Sequence, residues 1–239
     1  MKVLLIIPSY NEEENVLENY QRIIDYNKKN KTKYDAIVIN DGSSDRTEEI
    51  CIKNNIPYIT LVHNLGIGGA VQTGYKYAKE HGYDVAVQYD GDGQHDVRYV
   101  KDIIKPIINN EADMVIGSRF IDKSTSSFQS SRSRRMGINL ISFFIKLVTG
   151  KKIYDTTSGF RAINKDLINY FADDYPVEYP EPVSSTKILK KKYRIEEVPV
   201  SMNERTGGVS SLGKFWKQAY YMFNVILSII LVAQGSDKR

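Results

Sequence analysis

The chain has 239 residues, which at the usual ~100–200 residues per domain makes one large domain, or one domain with an extension. Hydrophobic residues make up 41% and charged residues 26%, the balance of a soluble globular protein, which excludes a disordered, collagen-like or polytopic membrane chain. Lys and Arg total 33 against 29 Asp and Glu, and the resulting +4 is too small an excess to indicate a nucleic-acid partner.

Residues 3–8 form a short apolar run ending at Pro8, with Asn11, Glu12, Glu13 and Glu14 directly behind it. That reads as a buried strand entering a loop and helix, not as a secretory leader. Val16, Tyr20, Ile23 and Ile24 then recur at helical spacing. Residues 36–39 are a second buried strand, ending at Asn40-Asp41-Gly42-Ser43-Ser44-Asp45. A short helix carrying Ile50, Cys51 and Ile52 follows, then a strand at 58–62 and a helical stripe of Ile67, Ala70, Val71, Gly74 and Ala78. Cys51 is the single cysteine, so no intramolecular disulfide or multi-cysteine zinc site forms, which suits a reducing compartment. A fourth strand at 84–89 ends at Asp90-Gly91-Asp92-Gly93-Gln94-His95. The next helix shows Val97, Val100, Ile104, Ile107 and Ile108, with Pro106 expected to kink or shorten it, and 113–117 is a fifth strand. Apolar strands without alternation, separated by helices, predict an α/β fold with a mostly parallel sheet covered on both faces.

Beyond Arg119 the pattern changes. Residues 122–135 are polar and end in Arg132-Ser133-Arg134-Arg135, which reads as a loop. An apolar helix over 138–148, a turn-like segment over 154–161, five basic residues within 187–194 and a strand over 195–202 follow. Residues 205–211 read as a flexible linker. The tail at 215–233 is the most apolar stretch, but a helix over 219–233 would span only roughly 22 Å, short of the ~30 Å hydrocarbon core. It is either a helix packed on the domain or on a second copy, or an amphipathic helix at a membrane surface or on a small membrane partner. The division expected is 1–212 as one domain, with a donor-side half at 1–120 and an acceptor-side half at 121–212, and 213–239 as the tail.

In such a sheet, ligands bind at the carboxyl ends of the strands. Three polar clusters fall there: Ser9-Tyr10-Asn11-Glu12, the Asp41 segment and Asp90-Gly91-Asp92. Each alone is ordinary turn chemistry; together they define an edge. Asp90 and Asp92, two carboxylates about a glycine, suit a hard divalent cation such as Mg²⁺ or Mn²⁺, with Gln94 adding an oxygen and His95 standing behind. Gly66-Ile67-Gly68-Gly69-Ala70-Val71 has Val where a dinucleotide motif needs its third Gly, and no P-loop Lys follows Gly74. The segment remains a close-approach loop at a helix N-terminus. With only His63, His81 and His95, no serine triad is evident.

Taken together, Ile6-Ile7-Pro8-Ser9-Tyr10-Asn11-Glu12, the Asn40–Asp45 run, Asn64-Leu65-Gly66 with Gly69, Ala70 and Gly74, and Asp90-Gly91-Asp92-Gly93-Gln94-His95 resemble family 2 glycosyltransferases of the GT-A fold. Gly117-Ser118-Arg119-Phe120, Thr157-Ser158-Gly159-Phe160-Arg161 and the segment from Val198 to Arg205 resemble the polyprenyl-phosphate hexosyltransferase branch, similar to dolichyl-phosphate mannose synthase. The likeness covers roughly residues 3–212. It implies that Pro8, Tyr10, Glu12 and Asp41, with Gly69, serve the nucleotide sugar, and that Asp90, Asp92 and Gln94 hold metal and diphosphate. It implies further that Arg119 and Arg134 face the acceptor phosphate, and that Arg205 and Ser210 close over the donor. The chain departs from many such relatives in having Val183 where an acidic residue follows Glu181-Pro182.

A lipid-phosphate acceptor, with a second pKa near ~6, is already ionised at neutral pH and needs no general base. Arginines that position it suffice, and Arg119, the Arg132/Arg134/Arg135 group and Arg161 are available. The expectation is therefore an inverting, metal-dependent hexose transfer from a UDP-glucose- or GDP-mannose-type donor to a polyprenyl phosphate such as undecaprenyl phosphate, on the cytoplasmic face of the cell membrane, for envelope glycan synthesis. The alternatives are transfer to a saccharide hydroxyl, with Asp155 or Glu181 as base, and a non-catalytic sugar-nucleotide-binding subunit.

Overall fold

A computed structural model of the chain describes residues 1–121, 132–202 and 215–235, with 132–134 and 215–219 described by their backbone alone. Seven strands form one sheet in the order β3-β2-β1-β4-β6-β5-β7. They are β1 (Val3–Ser9), β2 (Tyr34–Asn40), β3 (Tyr58–Thr60), β4 (Val85–Gln88), β5 (Met114–Ser118), β6 (Arg161–Asn164) and β7 (Ile195–Pro199). All pairings are parallel except those of β6, which runs antiparallel to both β4 and β5. This is the α/β architecture expected, with one reversed strand inserted.

Because successive strand residues point to opposite faces, β1 divides its apolar run between two cores. Leu4 and Ile6 face a cluster closed by α3 (Gly66–Glu80), α5 (Arg132–Thr149), α6 (Lys165–Asp173), α7 (Pro180–Lys190) and α8 (Phe215–Gln234). Val3, Leu5 and Ile7 face a second cluster, closed by α1 (Val16–Asn30), α2 (Thr47–Lys53) and α4 (Val100–Ile108). Each fully buried Ile or Val adds roughly 1.5–3 kcal/mol, which is why these strands carry no polar alternation. Pro106 lies inside α4, and that helix ends two residues later.

Several elements differ from the sequence expectation. β3 stops at Thr60, two residues early, because the chain turns there and Val62 is left exposed. The segment 132–135 is the first turn of α5, not the end of a loop. β6, α6 and α7 were not expected as elements. The Pro180-Glu181-Pro182 run reads as a breaker, yet proline fits a first helical turn, where its missing N–H costs nothing, and α7 starts on it.

No helix among the described residues is long and apolar enough to cross a membrane. α8 packs its inner side onto α5 and α7, with Val225 and Ile229 fully buried and Tyr221 edge-on to Tyr179 at 5.0 Å. Its outer side leaves Tyr220, Phe223, Leu227 and Leu231 exposed.

Candidate active site

The register puts the three polar clusters side by side. Ser9 pairs with Asn40 and Ile6 with Gln88, so β2, β1 and β4 release their carboxyl ends at one edge. There β1 separates a parallel neighbour on each side, the switch point at which such sheets bind ligands.

The first two clusters are laced together. Ser43 Oγ accepts from the Asn11 amide at 2.9 Å, and Asn11 Oδ1 accepts from the Ser44 amide at 2.9 Å. Thr47 Oγ1 accepts from the Glu12 amide at 3.0 Å, while the Glu12 carboxylate accepts from Asn15 Nδ2 at 2.8 Å. Pro8 is buried and Tyr10 exposed at the edge. Asp41 is buried and accepts the Leu65 amide at 2.7 Å. Burial raises its carboxyl above the usual range, against the pull of the Leu65 and Gly66 amides.

The expected loop at 66–69 is instead the first turn of α3. A Cβ at Gly68 would lie 2.3 Å from the Val177 carbonyl oxygen, and one at Gly69 would lie 2.4 Å from Leu65 Cβ. The glycines thus permit protein-to-protein approach, and Gly69 owes its small size to Leu65.

The Asp90-Gly91-Asp92 turn lies against β1: a Cβ on Gly91 would lie 2.8 Å from the Pro8 carbonyl oxygen. Asp90 Oδ1 accepts from Gln88 Nε2 at 3.1 Å, and Asp92 Oδ1 accepts from the Gln94 amide at 3.1 Å. His95 is buried and takes no place at the surface of the turn. Its Nδ1 accepts the Asp90 amide at 2.9 Å, which leaves the proton on Nε2, 3.4 Å from Asp90 Oδ2. Burial holds the imidazole below its ordinary range, although Asp90 and Asp92 pull the other way. Phe160 stacks on that ring at 4.6 Å, and Gly159 lies so near that a Cβ there would meet both Asp90 Oδ2 and Gln88 Nε2 at 2.7 Å. The turn is therefore clamped from both sides.

Two carboxylates and an amide oxygen on one turn are hard oxygen donors, too few to enclose a metal alone. No group of three or more His, Cys, Asp and Glu suited to a metal occurs among the described residues. That donor set fits Mg²⁺ or Mn²⁺, which keep positions for water and phosphate oxygens.

The cations expected at the acceptor are placed differently from one another. Arg119 is 5% exposed and grips Asp155, itself fully buried, with Nε and Nη2 each donating at 2.8 Å. The Asp155 amide donates to Glu197 at 2.9 Å, so the pair is held from behind. Arg161, expected among the acceptor cations, is fully buried. Its Nη1 donates to the Glu181 carbonyl at 2.7 Å and to Ser184 and Ser185, and its Nε donates to the Ser158 carbonyl. It fastens β6 to the start of α7, away from the protein surface. Arg135 lies over the Phe120 ring at 3.9 Å, beside Arg119. The backbone of Arg134 lies in the same turn of α5; Arg205 and Ser210 lie outside the described residues. Glu181 is one residue whose setting the sequence did not reveal. Burial raises its carboxyl, Arg161 opposes that, and Asp90 and Gln88 are its neighbours.

Residues 4–171 match the family model for glycosyl transferase family 2. The chain is 32% identical over 221 residues to the UDP-N-acetylglucosamine–dolichyl-phosphate N-acetylglucosaminyltransferase of Methanococcus voltae, covering 83% of this chain and 84% of that one. It is 29% identical to the undecaprenyl-phosphate mannosyltransferase of Micrococcus luteus, covering 89% and 88%. Among solved structures, glucosyl-3-phosphoglycerate synthase from Mycobacterium tuberculosis, in complex with Mn²⁺, uridine diphosphate and phosphoglyceric acid, superposes with a TM-score of 0.70. It has 16% identity and covers 99% of this chain and 80% of that one, a likeness of fold. The family match and these relatives define a sugar-transferring enzyme. The chain belongs to glycosyl transferase family 2.

Proposed function

We propose that the chain transfers a hexose from a nucleotide sugar, of UDP-glucose or GDP-mannose type, to a polyprenyl phosphate such as undecaprenyl phosphate, with inversion at the anomeric carbon. The observation that carries this reading is the Arg119–Asp155 pair. Asp155, one of the two carboxylates available as a base for a hydroxyl acceptor, is fully buried and committed to an arginine. A phosphate acceptor needs no such base, because its second ionisation, near ~6, is largely complete at neutral pH. The dolichyl- and undecaprenyl-phosphate acceptors named for two relatives support the same choice.

Pro8, Tyr10, Glu12 and Asp41 take the nucleoside at the joined ends of β1 and β2, and Asp90, Asp92 and Gln94 hold Mg²⁺ or Mn²⁺ against the diphosphate. When bound, that ion offsets negative charge gathering on the departing nucleoside diphosphate. Arg119 and Arg134 orient the acceptor phosphate, and Arg205 and Ser210 close over the donor. An acceptor phosphate oxygen forms the new bond to the anomeric carbon as the bond to the diphosphate breaks on the opposite face. We place the enzyme peripherally on the cytoplasmic face of the membrane, held by its basic runs and by the tail helix.

Labelled nucleotide sugars incubated with undecaprenyl phosphate should yield label extractable into organic solvent. Label appearing only in water-soluble glycan would overturn the reading. The second reading, a hydroxyl acceptor with Glu181 as base, is favoured by that residue's raised carboxyl beside Asp90. It requires Glu181→Gln to abolish transfer, whereas lipid-phosphate transfer should survive that change.

A further inference from the structure

The buried face of α1 contains one residue that its packing does not explain. Val16, Asn19 and Ile23 are the buried positions of that helix, spaced as a single inward-facing stripe. Val16 and Ile23 sit in the apolar cluster with Tyr89 and Val97. Asn19, between them, is only 1% exposed. An amide on a core face costs stability unless it is hydrogen-bonded, so its partner accounts for its place. Asn19 Nδ2 donates to the Gly91 carbonyl, in the middle of the Asp90-Gly91-Asp92 turn.

Gly91 is the freest joint of that turn. It has to be glycine, because a Cβ there would lie 2.8 Å from the Pro8 carbonyl oxygen and 2.9 Å from Ser9 Oγ. Glycine also has the widest torsional freedom of any residue, and here it links the two carboxylates. Ahead of it, His95 Nδ1 accepts the Asp90 amide at 2.9 Å, and the Tyr89 hydroxyl donates to the His95 carbonyl at 2.7 Å. Those bonds fix the peptide that enters Asp90. The Gly91 carbonyl belongs to the peptide that enters Asp92, and Asn19 holds that plane. The grip is braced along α1. The Asn19 amide donates to the Asn15 carbonyl at 2.9 Å, and the Asn15 and Val16 amides donate to the Glu12 carbonyl at 3.0 and 2.9 Å. The start of α1 thus joins the cluster at the end of β1 to the Asp90–Asp92 turn.

We propose that Asn19 is a positioning residue, which presets the spacing of the Asp90 and Asp92 carboxylates for a divalent cation. The inference rests on the metal reading given above and adds a residue to it from outside the turn. Asn19 acts through the peptide between Gly91 and Asp92, not by contact with cation or substrate. A turn fixed in advance loses less conformational freedom on binding, and so binds more tightly. Leucine at this position would complete the apolar stripe of α1. A residue that served packing alone would tolerate that change, whereas one that holds the turn would not.

The test is a titration of the full chain with Mn²⁺, read by the electron paramagnetic resonance of the free ion. It is run in the presence of UDP or GDP, whichever wild type binds more tightly. Asn19→Leu should weaken Mn²⁺ binding by about tenfold, the loss of one hydrogen bond that orders the site. Binding of the nucleoside diphosphate without metal should stay within about twofold. Ile23→Val, which loosens the same helix face without touching the turn, should keep Mn²⁺ affinity within about twofold. Hydrogen exchange of the metal-free protein gives a second readout. Peptides spanning 89–95 should exchange at least about threefold faster in Asn19→Leu, and those spanning 100–108 should not change. Should Asn19→Leu fail to fold, Asn19→Ser, too short to reach Gly91, carries the same expectations. Wild-type Mn²⁺ affinity in the Asn19 variant overturns the inference, as does wild-type exchange at 89–95. An equal loss of Mn²⁺ in Ile23→Val also overturns it and makes Asn19 a packing residue. Asp92→Asn separates the two layers: if it binds Mn²⁺ as tightly as wild type, the metal reading itself falls, and the exchange result alone decides whether Asn19 holds the turn.

Discussion

The two halves of the sheet handle charge in opposite ways. At the ends of β1, β2 and β4, the polar clusters are held by backbone amides and short hydroxyl side chains, and Asp90 and Asp92 stay at the edge, partly exposed. Around β5, β6 and β7, arginines are held inside the protein: Arg119 pairs with Asp155, and Arg161 donates to carbonyl and hydroxyl oxygens, among them those of α7. The first half leaves these carboxylates at the edge, whereas in the second a buried arginine, Arg161, fastens the antiparallel strand to α7. Motif residues are thus left at the surface on one side and drawn into the interior on the other.

The sharpest way to break this contrast is to remove a framework carboxylate. Asp155→Ala leaves a buried guanidinium without its partner, and loss of one member of such a pair costs about 3–5 kcal/mol. Urea unfolding should show a loss of that order. Near-native stability would mean that Arg119 is free to swing to solvent and that the second half resembles the first.

Next in size is a carboxylate proposed to hold the metal. Asp92→Asn should leave stability within about 0.5 kcal/mol yet lower turnover on the order of a hundredfold, since a metal supplies several kcal/mol of charge stabilisation. Wild-type turnover should likewise collapse in EDTA and return with Mg²⁺ or Mn²⁺. Full activity in EDTA would contradict the placement of a metal at this turn.

This contrast also explains which parts were legible in the sequence. β1, β2 and β4 announce themselves as unbroken apolar runs, and the clusters behind them fall on one edge by topology alone, so Asp41, Asp90 and Asp92 could be placed together from their order. The second half hides its elements. β6 has only four residues and begins with an arginine, α7 begins with a proline, and α6 shows its buried Leu167, Ile168, Phe171 and Ala172 in too short a span to stand out. Arg161 misled for the same reason: its burial depends on Ser184, Ser185 and the Glu181 carbonyl, contributed by a helix twenty residues on. The packing of α3 was not legible either: the segment at 176–177 fills the space beside Gly68 from about a hundred residues away.

A smaller effect comes from the surface of the second half. Burial would raise the Asp113 carboxyl, but Arg194 and Asn164 outweigh it and hold it below the usual range. A carboxylate depressed in the folded state adds stability that is complete above its unfolded value, near ~3.9, and is lost as pH falls through the folded value. Asp113→Asn should therefore lower the melting temperature at about pH 6, and the gap from wild type should close in strong acid. A gap independent of pH would assign the loss to packing.

The division of labour between the halves is tested most directly by one variant measured against both substrates. In Arg134→Ala, the affinity for nucleoside diphosphate with Mn²⁺, read by calorimetry, should stay within about twofold of wild type. The KM for polyprenyl phosphate should rise by about tenfold or more, the loss of one charge-assisted contact. Equal weakening of both would place Arg134 on the donor diphosphate and contradict the separation of donor and acceptor on which the account depends.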